Sequence, residues 1–294
     1  MTYVSWRRTN RRLTCERVTM TSTSIRTPLA ALRLFLVSAL AALAAACGTT
    51  KPALQPLPRA PDIGLYELRS YTAADGKLEA LTARLRDHEA PLFRKHGMIP
   101  VAFFQTAPGP GQPEASRLYY ILGYKDRAAR DAAWTAFSAD PDWKSAYKTT
   151  GANGALQTQI DNVFLQPASY SPKLNLDSRG APRLFELRTY TANPGKLEAI
   201  HDRFRDHTLG LFQKHGMTSI LYWRPTAGQD GGYDSKMVYM LAYPNLAARN
   251  ADWAAFSADP DWIKASNDSQ KNGVLLKGKP DTVFLTPLPF SPLK

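Results

Sequence analysis

The segment Leu65-Tyr-Glu-Leu-Arg-Ser-Tyr-Thr-Ala73 occurs again 119 residues later, as Leu184-Phe-Glu-Leu-Arg-Thr-Tyr-Thr-Ala192. Three later blocks return at the same spacing, namely Gly76-Lys-Leu-Glu-Ala80, Lys95-His-Gly-Met98 and Ala136-Phe-Ser-Ala-Asp-Pro-Asp-Trp143. Such internal similarity indicates tandem copies of one structural unit. We predict a first unit over residues 63–167, a linker over 168–182 and a second unit over 183–288.

Hydrophobic periodicity within one unit predicts the order of its elements. Alternation indicates strands over 65–71, 99–105, 117–124 and 159–165, and helical spacing indicates helices over 77–96 and 127–137. Local signals set their ends: Asp126 is a predicted N-cap, Gly97 a predicted helix stop, and Asp140-Pro141 the predicted start of a short helix. The segment 108–114 is a predicted loop. The order βαββαβ is the ferredoxin-like pattern, an antiparallel four-stranded sheet with helices on one face.

Each predicted sheet has one face that its own helices leave uncovered. Two such faces bury one another when the units pack sheet to sheet, which removes both from water. The predicted fold class is therefore α+β, with two tandem ferredoxin-like domains that form an intramolecular pseudo-dimeric α/β barrel.

The N-terminal residues 1–47 have the pattern of a signal peptide. Residues 34–46 are apolar except for Ser38, a run too short to cross about 30 Å of hydrocarbon but suited to an export signal. The small residues 44–46 before Cys47 resemble the lipobox of bacterial lipoproteins, which predicts a lipid such as palmitate on that cysteine. The alternative to lipidation is an ordinary signal peptide that is cleaved near Ala46. Either Met1 or Met20 is the initiator methionine.

A proline-rich stretch over residues 48–62 follows the cysteine and is predicted to be an extended tether. Gly48 after the cysteine resembles lipoproteins sorted to the outer membrane. The predicted location is therefore the bacterial cell envelope, with the protein anchored in the outer membrane and facing the periplasm. The anchor makes the membrane a predicted partner.

Charge and cysteine content exclude several function classes. The formal net charge is +12, but residues 1–46 alone carry seven arginines and one acid. Because the remaining charges are interspersed and form no basic stripe, we predict no nucleic-acid partner. The two cysteines, Cys15 and Cys47, form no C-x-x-C pair, which argues against a zinc ribbon, a thioredoxin-type site or a disulfide framework.

Polar residues on the first strand of each unit are the candidate ligand site. Side chains alternate along a strand, so one triplet shares a face in each unit. We expect this face to point into the space between the sheets, where the residues either satisfy one another or form a pocket wall with an arginine as a carboxylate anchor. Tyrosines of the third strands either border this pocket or pack the sheet. The candidates are Glu67, Arg69, Tyr71, Tyr120, Glu186, Arg188, Tyr190 and Tyr239.

The histidines and tryptophans carry weaker signals. His88 and His207 are secondary candidates, as hydrogen-bonded histidines or as general bases. His96 and His215 are expected at helix C-termini, where the helix dipole favours a cation. His88 and His96 lie about 12 Å apart along a helix, too far to share a metal ion, so no metal site is predicted. Aromatic residues such as Trp134 and Phe137 are expected in the core.

The repeated blocks together resemble the NIPSNAP family. The matching features are Glu-Leu-Arg-x-Tyr on the first strand, the Gly-Lys helix, the Leu-Phe-x-Lys-His-Gly turn and the block that ends Asp-Pro-x-Trp. The resemblance implies the dimeric α/β-barrel superfamily, whose members often hold a small ligand against the sheet and include oxygenases and haem-degrading enzymes. The lipobox departs from the mitochondrial members of the family, so their roles are not carried over.

These observations predict an envelope lipoprotein that binds a small ligand or a protein partner near the intersheet pocket, with no reaction assigned. Two alternatives stay open, an oxygenase-like or haem-handling enzyme and a protein-interaction scaffold. No cofactor is predicted, with haem as the one alternative because a single imidazole would suffice for it. The sequence has no G-x-S-x-G, P-loop or dinucleotide motif, which leaves nucleophilic hydrolysis without support.

Overall fold

A computed structural model describes residues 62–109, 117–176 and 181–294. The predicted signal peptide, Cys47, nearly all of the predicted tether, most of the 108–114 loop and part of the predicted linker lie outside the described residues. Within the described ranges, no helix is long and apolar enough to span a bilayer. Repeat 1 below denotes residues 63–167, and repeat 2 denotes residues 183–288.

Repeat 1 has the predicted order of elements. They are β1 (Leu65–Ala73), α1 (Leu78–Arg84), a π-helical turn (Leu85–Glu89), α2 (Ala90–Lys95), β2 (Ile99–Thr106), β3 (Arg117–Tyr124), α3 (Arg127–Ala139), α4 (Pro141–Thr150) and β4 (Gln157–Pro167). The helix predicted over 77–96 is thus one continuous helical stretch with a π-helical turn in its middle, which the sequence pattern did not reveal.

Repeat 2 has the same order. Its elements are β5 (Leu184–Thr191), α5 (Leu197–Arg203), a π-helical turn (Phe204–Thr208), α6 (Leu209–Lys214), β6 (Thr218–Pro225), a 3₁₀ turn (Tyr233–Ser235), β7 (Lys236–Tyr243), α7 (Leu246–Ala258), α8 (Pro260–Ser269) and β8 (Asp281–Pro287). Both π-helical turns fall at equivalent positions, so the duplication preserved this irregularity.

The predicted signals at the helix ends are confirmed. The Asp126 carboxylate accepts a 2.8 Å hydrogen bond from the Ala129 amide at the start of α3, and the Asp140 carboxylate accepts one of 2.8 Å from Asp142 at the start of α4. Gly97 follows α2 with a φ of +76°, a left-handed conformation that glycine adopts without steric cost. These local choices fix where each helix meets the sheet.

The eight strands form a closed antiparallel barrel in the order β1-β3-β2-β8-β5-β7-β6-β4. The predicted sheet-to-sheet arrangement is confirmed, and the structure adds how the barrel closes. Two backbone ladders join the repeats, one in which β2 pairs with β8 and one in which β4 pairs with β6. Closure leaves the sheets without free edges, so both repeats belong to one continuous sheet.

The barrel interior is an apolar core that both repeats share. Its members include Leu68 and Ile121 of repeat 1 together with Leu187 and Met240 of repeat 2. Two aromatic pairs at equivalent positions cross between the repeats. The ring centroids of Tyr66 and Trp223 lie 5.7 Å apart, and those of Phe104 and Phe185 lie 4.9 Å apart. Each repeat has a second core, between its sheet and its own helices.

Candidate functional site

The polar triplet of β1 points outward, towards the helices. Glu67 accepts hydrogen bonds from Arg130 and Trp134, both on α3, while Tyr66 and Leu68 lie in the barrel interior. The prediction that Glu67, Arg69 and Tyr71 face the space between the sheets is therefore wrong. The physical reason is that a buried carboxylate needs donors, and α3 supplies them on the helix side.

The triplet of β5 has the same orientation. Glu186 accepts hydrogen bonds from Arg249 at 2.7 Å and from Trp253 at 3.1 Å, both on α7. The predicted orientation of Glu186, Arg188 and Tyr190 towards the intersheet space is wrong for the same reason. The arginine and tryptophan donors around the buried glutamate are therefore duplicated together with the fold.

Five hydrogen bonds from the protein satisfy the Glu67 carboxylate. Oε1 accepts from Arg69 at 2.6 Å and from Arg130 at 2.8 Å. Oε2 accepts from Arg130 at 2.9 Å, Trp134 at 3.0 Å and Tyr124 at 3.1 Å. Burial raises the pKa of Glu67, but the hydrogen bond from Arg130 and the two guanidinium charges outweigh burial and hold the pKa below its usual range. The carboxylate is thus ionised, and both of its oxygens accept hydrogen bonds from the protein itself.

The tyrosines beside this carboxylate are also engaged. The Tyr120 hydroxyl donates to the Tyr71 hydroxyl at 2.7 Å, and Tyr239 donates to Tyr190 at 2.9 Å in repeat 2. Burial raises the pKa of Tyr120 and Tyr239 well above the ordinary value, so both stay protonated at neutral pH. These contacts lie between the sheet and the helices. The assignment of the eight candidates to a ligand site stays a prediction.

The repeated histidines have different surroundings. His96, which follows α2, lies 2.7 Å from Asp140, and His215 lies 2.6 Å from Asp259. A hydrogen bond from Lys95, with a further one from His96, holds the pKa of Asp140 far below its usual range. These contacts tie the end of one helix to the start of another. The secondary candidates His88 and His207 lie exposed on the π-helical turns.

Sequence reasoning assigned no role to His201, which the structure buries. Its Nδ1 lies 2.7 Å from the hydroxyl of Tyr170, and burial lowers the pKa of the imidazole to about 4. Repeat 1 has Thr82 at the equivalent position, so the repeat pattern gave no signal for this residue. Among the described residues, no cluster of three or more histidine, cysteine or acidic side chains could hold a metal ion.

One end of the barrel opens into a cavity of about 790 Å³ between the two sheets. We call it the mouth cavity. Its inner wall is apolar and its rim is polar, because the inward-facing residues change character near the strand ends. The wall includes Leu68, Val163, Leu187 and Val283, and the rim includes Ser70, Arg117, Asp161, Thr189, Lys236 and Asp281.

The rim residues occupy equivalent positions in the repeats but differ in their contacts. In repeat 1, Arg117 donates to Asp161 at 2.9 Å, and Ser70 donates to the same carboxylate at 3.4 Å. In repeat 2, the Lys236 ammonium lies 4.3 Å from the centre of the Tyr233 ring. In the part of the chain that the structure describes, Lys236 forms no salt bridge with a carboxylate, and this includes its counterpart Asp281. Within the described ranges, the rim therefore presents a cation without a carboxylate partner beside an apolar wall.

None of the eight predicted candidates lines the mouth cavity. The rim charges escaped sequence reasoning because each lies at the start or middle of a different strand, and only barrel closure brings them together. A usable signal was present, since Arg117 and Lys236 both begin the third strand of their repeat, and Asp161 recurs as Asp281.

Two segments of the chain match a known family. Residues 66–172 and residues 185–292 each match the family model described as NIPSNAP. These two matches cover the described barrel almost completely. No curated protein matches the chain.

Solved structures with similar backbones include a putative monooxygenase from Lactobacillus acidophilus. It is 12% identical, and the alignment covers 76% of this chain and 93% of that one, with a TM-score of 0.49. A nipsnap family protein of unknown function from Agrobacterium tumefaciens is 22% identical over 38% of this chain and 96% of its own, with a TM-score of 0.33. An uncharacterized NIPSNAP-like domain protein from Burkholderia xenovorans is 21% identical over 38% and 90%, also with a TM-score of 0.33. These likenesses carry no inference about a ligand or a reaction.

Proposed function

The chain belongs to the NIPSNAP family, and we propose that this member binds a small amphipathic molecule in the mouth cavity while a lipid on Cys47 holds it at a bacterial envelope. The observation that carries the binding proposal is the cavity of about 790 Å³ between the sheets, in the size range of small-molecule sites.

The chemistry of the lining defines the class of ligand. The apolar wall around Leu68, Leu187 and Val283 favours a hydrocarbon or aromatic part, since its burial gains about 25 cal/mol per Å². Lys236 at the rim has no carboxylate partner among the described residues and favours an acidic or strongly accepting head group. Asp161 already accepts from Arg117, so this pair shapes the rim and contributes less to binding.

We expect a tryptophan at Thr189 to abolish ligand binding, because this half-buried rim residue lines the cavity and a bulky ring there occludes it. The measurement is native mass spectrometry of protein extracted gently from membranes, with bound molecules retained. Wild type and the matched control T189S should carry the same small molecule, and T189W should carry none. A T189W protein that retains the molecule as wild type does would contradict binding in this cavity.

The proposed anchor rests on the lipobox-like sequence before Cys47. Acyl chains contribute about 0.8 kcal/mol per buried CH₂, so attached lipid would hold an exported protein on a bilayer. The proline-rich residues after the cysteine would keep the barrel away from the surface.

Replacing Cys47 with serine is expected to abolish incorporation of labelled palmitate and to release the protein from the membrane fraction. The matched control is C15S, which removes the other cysteine of the chain and should leave labelling and fractionation unchanged. Wild-type protein that takes up no label would instead support the ordinary signal peptide.

A further inference from the structure

Arg203, at the end of α5, is a buried cation that has no acidic partner among the described residues. Its exposed fraction is 6%, and its Nε has no hydrogen-bond partner in the described part of the chain. Nη1 donates a long 3.4 Å hydrogen bond to the Ser269 hydroxyl, and the guanidinium carbon lies 5.2 Å from the centre of the Trp262 ring. No salt bridge to Arg203 is found within residues 62–109, 117–176 and 181–294. An uncompensated guanidinium is costly to bury.

The equivalent residue of repeat 1 shows what is missing. Arg84 donates from Nε to the carboxylate of Glu89 at 2.9 Å and from Nη2 to the side chain of Gln157 at 2.8 Å. Glu89 is itself buried, at the end of the π-helical turn. The fork of Arg84 is therefore satisfied by one carboxylate and one amide from the protein.

Repeat 2 keeps the arginine and loses both acceptors. Thr208 takes the place of Glu89, and its hydroxyl donates to the Arg203 carbonyl oxygen at 3.1 Å. Leu276 takes the place of Gln157, because Ala73 pairs with Gln157 in repeat 1 and Ala192 pairs with Leu276 in repeat 2. In the structure, neither replacement accepts a hydrogen bond from the guanidinium.

Two side chains beside the fork are smaller in repeat 2, whereas the neighbouring Leu85 is replaced by the larger Phe204. The ring of Tyr147, 5.5 Å from the Arg84 guanidinium carbon, is replaced by Ser266. Threonine is shorter than the glutamate it replaces by the length of the carboxylate group. The Glu89 carboxylate that accepts from Nε in repeat 1 therefore has no counterpart among the described side chains of repeat 2.

We infer that Arg203 forms a binding site for a small carboxylate, which takes the position that the Glu89 side chain occupies in repeat 1. The chemical class of the ligand follows from repeat 1, in which the Glu89 carboxylate accepts a hydrogen bond from Nε of the equivalent Arg84. Charge-assisted hydrogen bonds of this kind are about twice as strong as neutral ones, and the guanidinium fork selects the planar carboxylate. The site lies between helices and sheet of repeat 2 and is independent of the mouth cavity.

The test uses the purified full-length protein in detergent, with acetate as the probe. Thermal unfolding is followed in sodium acetate and in sodium chloride at equal ionic strength and neutral pH. At hundredfold excess over the dissociation constant, we expect acetate to raise the melting temperature of the wild type by about 5 to 10 °C relative to chloride. A wild-type protein that melts at the same temperature in both salts would overturn the inference.

Three variants locate the effect. T208E restores the carboxylate of repeat 1 and should remove the response to acetate, and R203M removes the cation and should do the same. E89T removes the carboxylate partner of Arg84 and so gives repeat 1 the same unpaired arginine. Acetate should therefore stabilise E89T more than it stabilises the wild type. If T208E does not fold, R203M decides. A response of R203M equal to that of the wild type would place acetate elsewhere and refute the site.

Discussion

Replacing Glu67 with glutamine is expected to lower the free energy of unfolding by about 3 to 5 kcal/mol. The carboxylate is fully buried and accepts from Arg69, Arg130, Trp134 and Tyr124. A buried ion pair adds little net stability, because desolvation offsets its attraction. The loss of one partner is nevertheless costly, since it leaves the largely buried guanidinium of Arg69, which is 12% exposed, without a countercharge.

Urea unfolding measures this change, and Glu198 provides the matched control. Glu198 is exposed and forms a two-point contact with Arg224 at 2.5 and 2.8 Å. Because water and salt screen that pair, E198Q should cost less than about 1 kcal/mol. E186Q should behave like E67Q, since repeat 2 has the same cluster. If E67Q were as mild as E198Q, the cluster would have no structural role.

The side of the sheet on which the β1 triplet lies could not be predicted from the sequence. Alternation along β1 correctly separates Glu67, Arg69 and Tyr71 from Tyr66 and Leu68. It does not say which set faces the helices, because the barrel interior and the helix-covered side are both buried. The deciding partner is Arg130, which lies 63 residues from Glu67 in the sequence. A contact at that separation exists only once α3 has packed on the sheet.

Features that depend on neighbouring residues were predictable. Asp126 caps α3 through an amide three residues away, and Gly97 ends α2 by its own backbone conformation. The rim of the mouth cavity was not predictable in this way. Arg117 and Lys236 belong to different repeats, and they approach the same opening only because β2–β8 and β4–β6 close the barrel.

Comparison of the repeats separates residues that support the fold from those that serve binding. Glu67 and Glu186 accept hydrogen bonds from equivalent residues of their own repeats. This is expected where each repeat needs the same buried contacts. The proposed binding features differ between repeats. Arg117 is paired with Asp161, whereas Lys236 has no carboxylate partner in the ranges that the structure describes. Arg84 has a carboxylate where Arg203 has a threonine. Repeat 1 thus pairs Arg117 and Arg84 with its own carboxylates, whereas we propose that Lys236 and Arg203 of repeat 2 bind ligands.

Replacing Phe185 with alanine is expected to destabilise the whole barrel by about 3 to 5 kcal/mol. Phe185 is fully buried on β5, and its ring faces Phe104 of the other repeat with a centroid distance of 4.9 Å. Its removal leaves a void in the core that both repeats share, and the close packing of a closed barrel limits relaxation around it. The conservative change F185L should cost less than about 1.5 kcal/mol, because it keeps most of the volume.

The same variant tests whether the repeats are one cooperative unit. The two ladders that close the barrel and the shared interior make each repeat's stability depend on the other's. We therefore expect F185A to lower the midpoint of a single transition, at which circular dichroism and tryptophan fluorescence change together. Trp134 and Trp143 report on repeat 1, while Trp253 and Trp262 report on repeat 2. If F185A unfolded repeat 2 first and left repeat 1 intact, the barrel would be two domains in contact, and a mouth cavity that needs both would exist only while they stay docked.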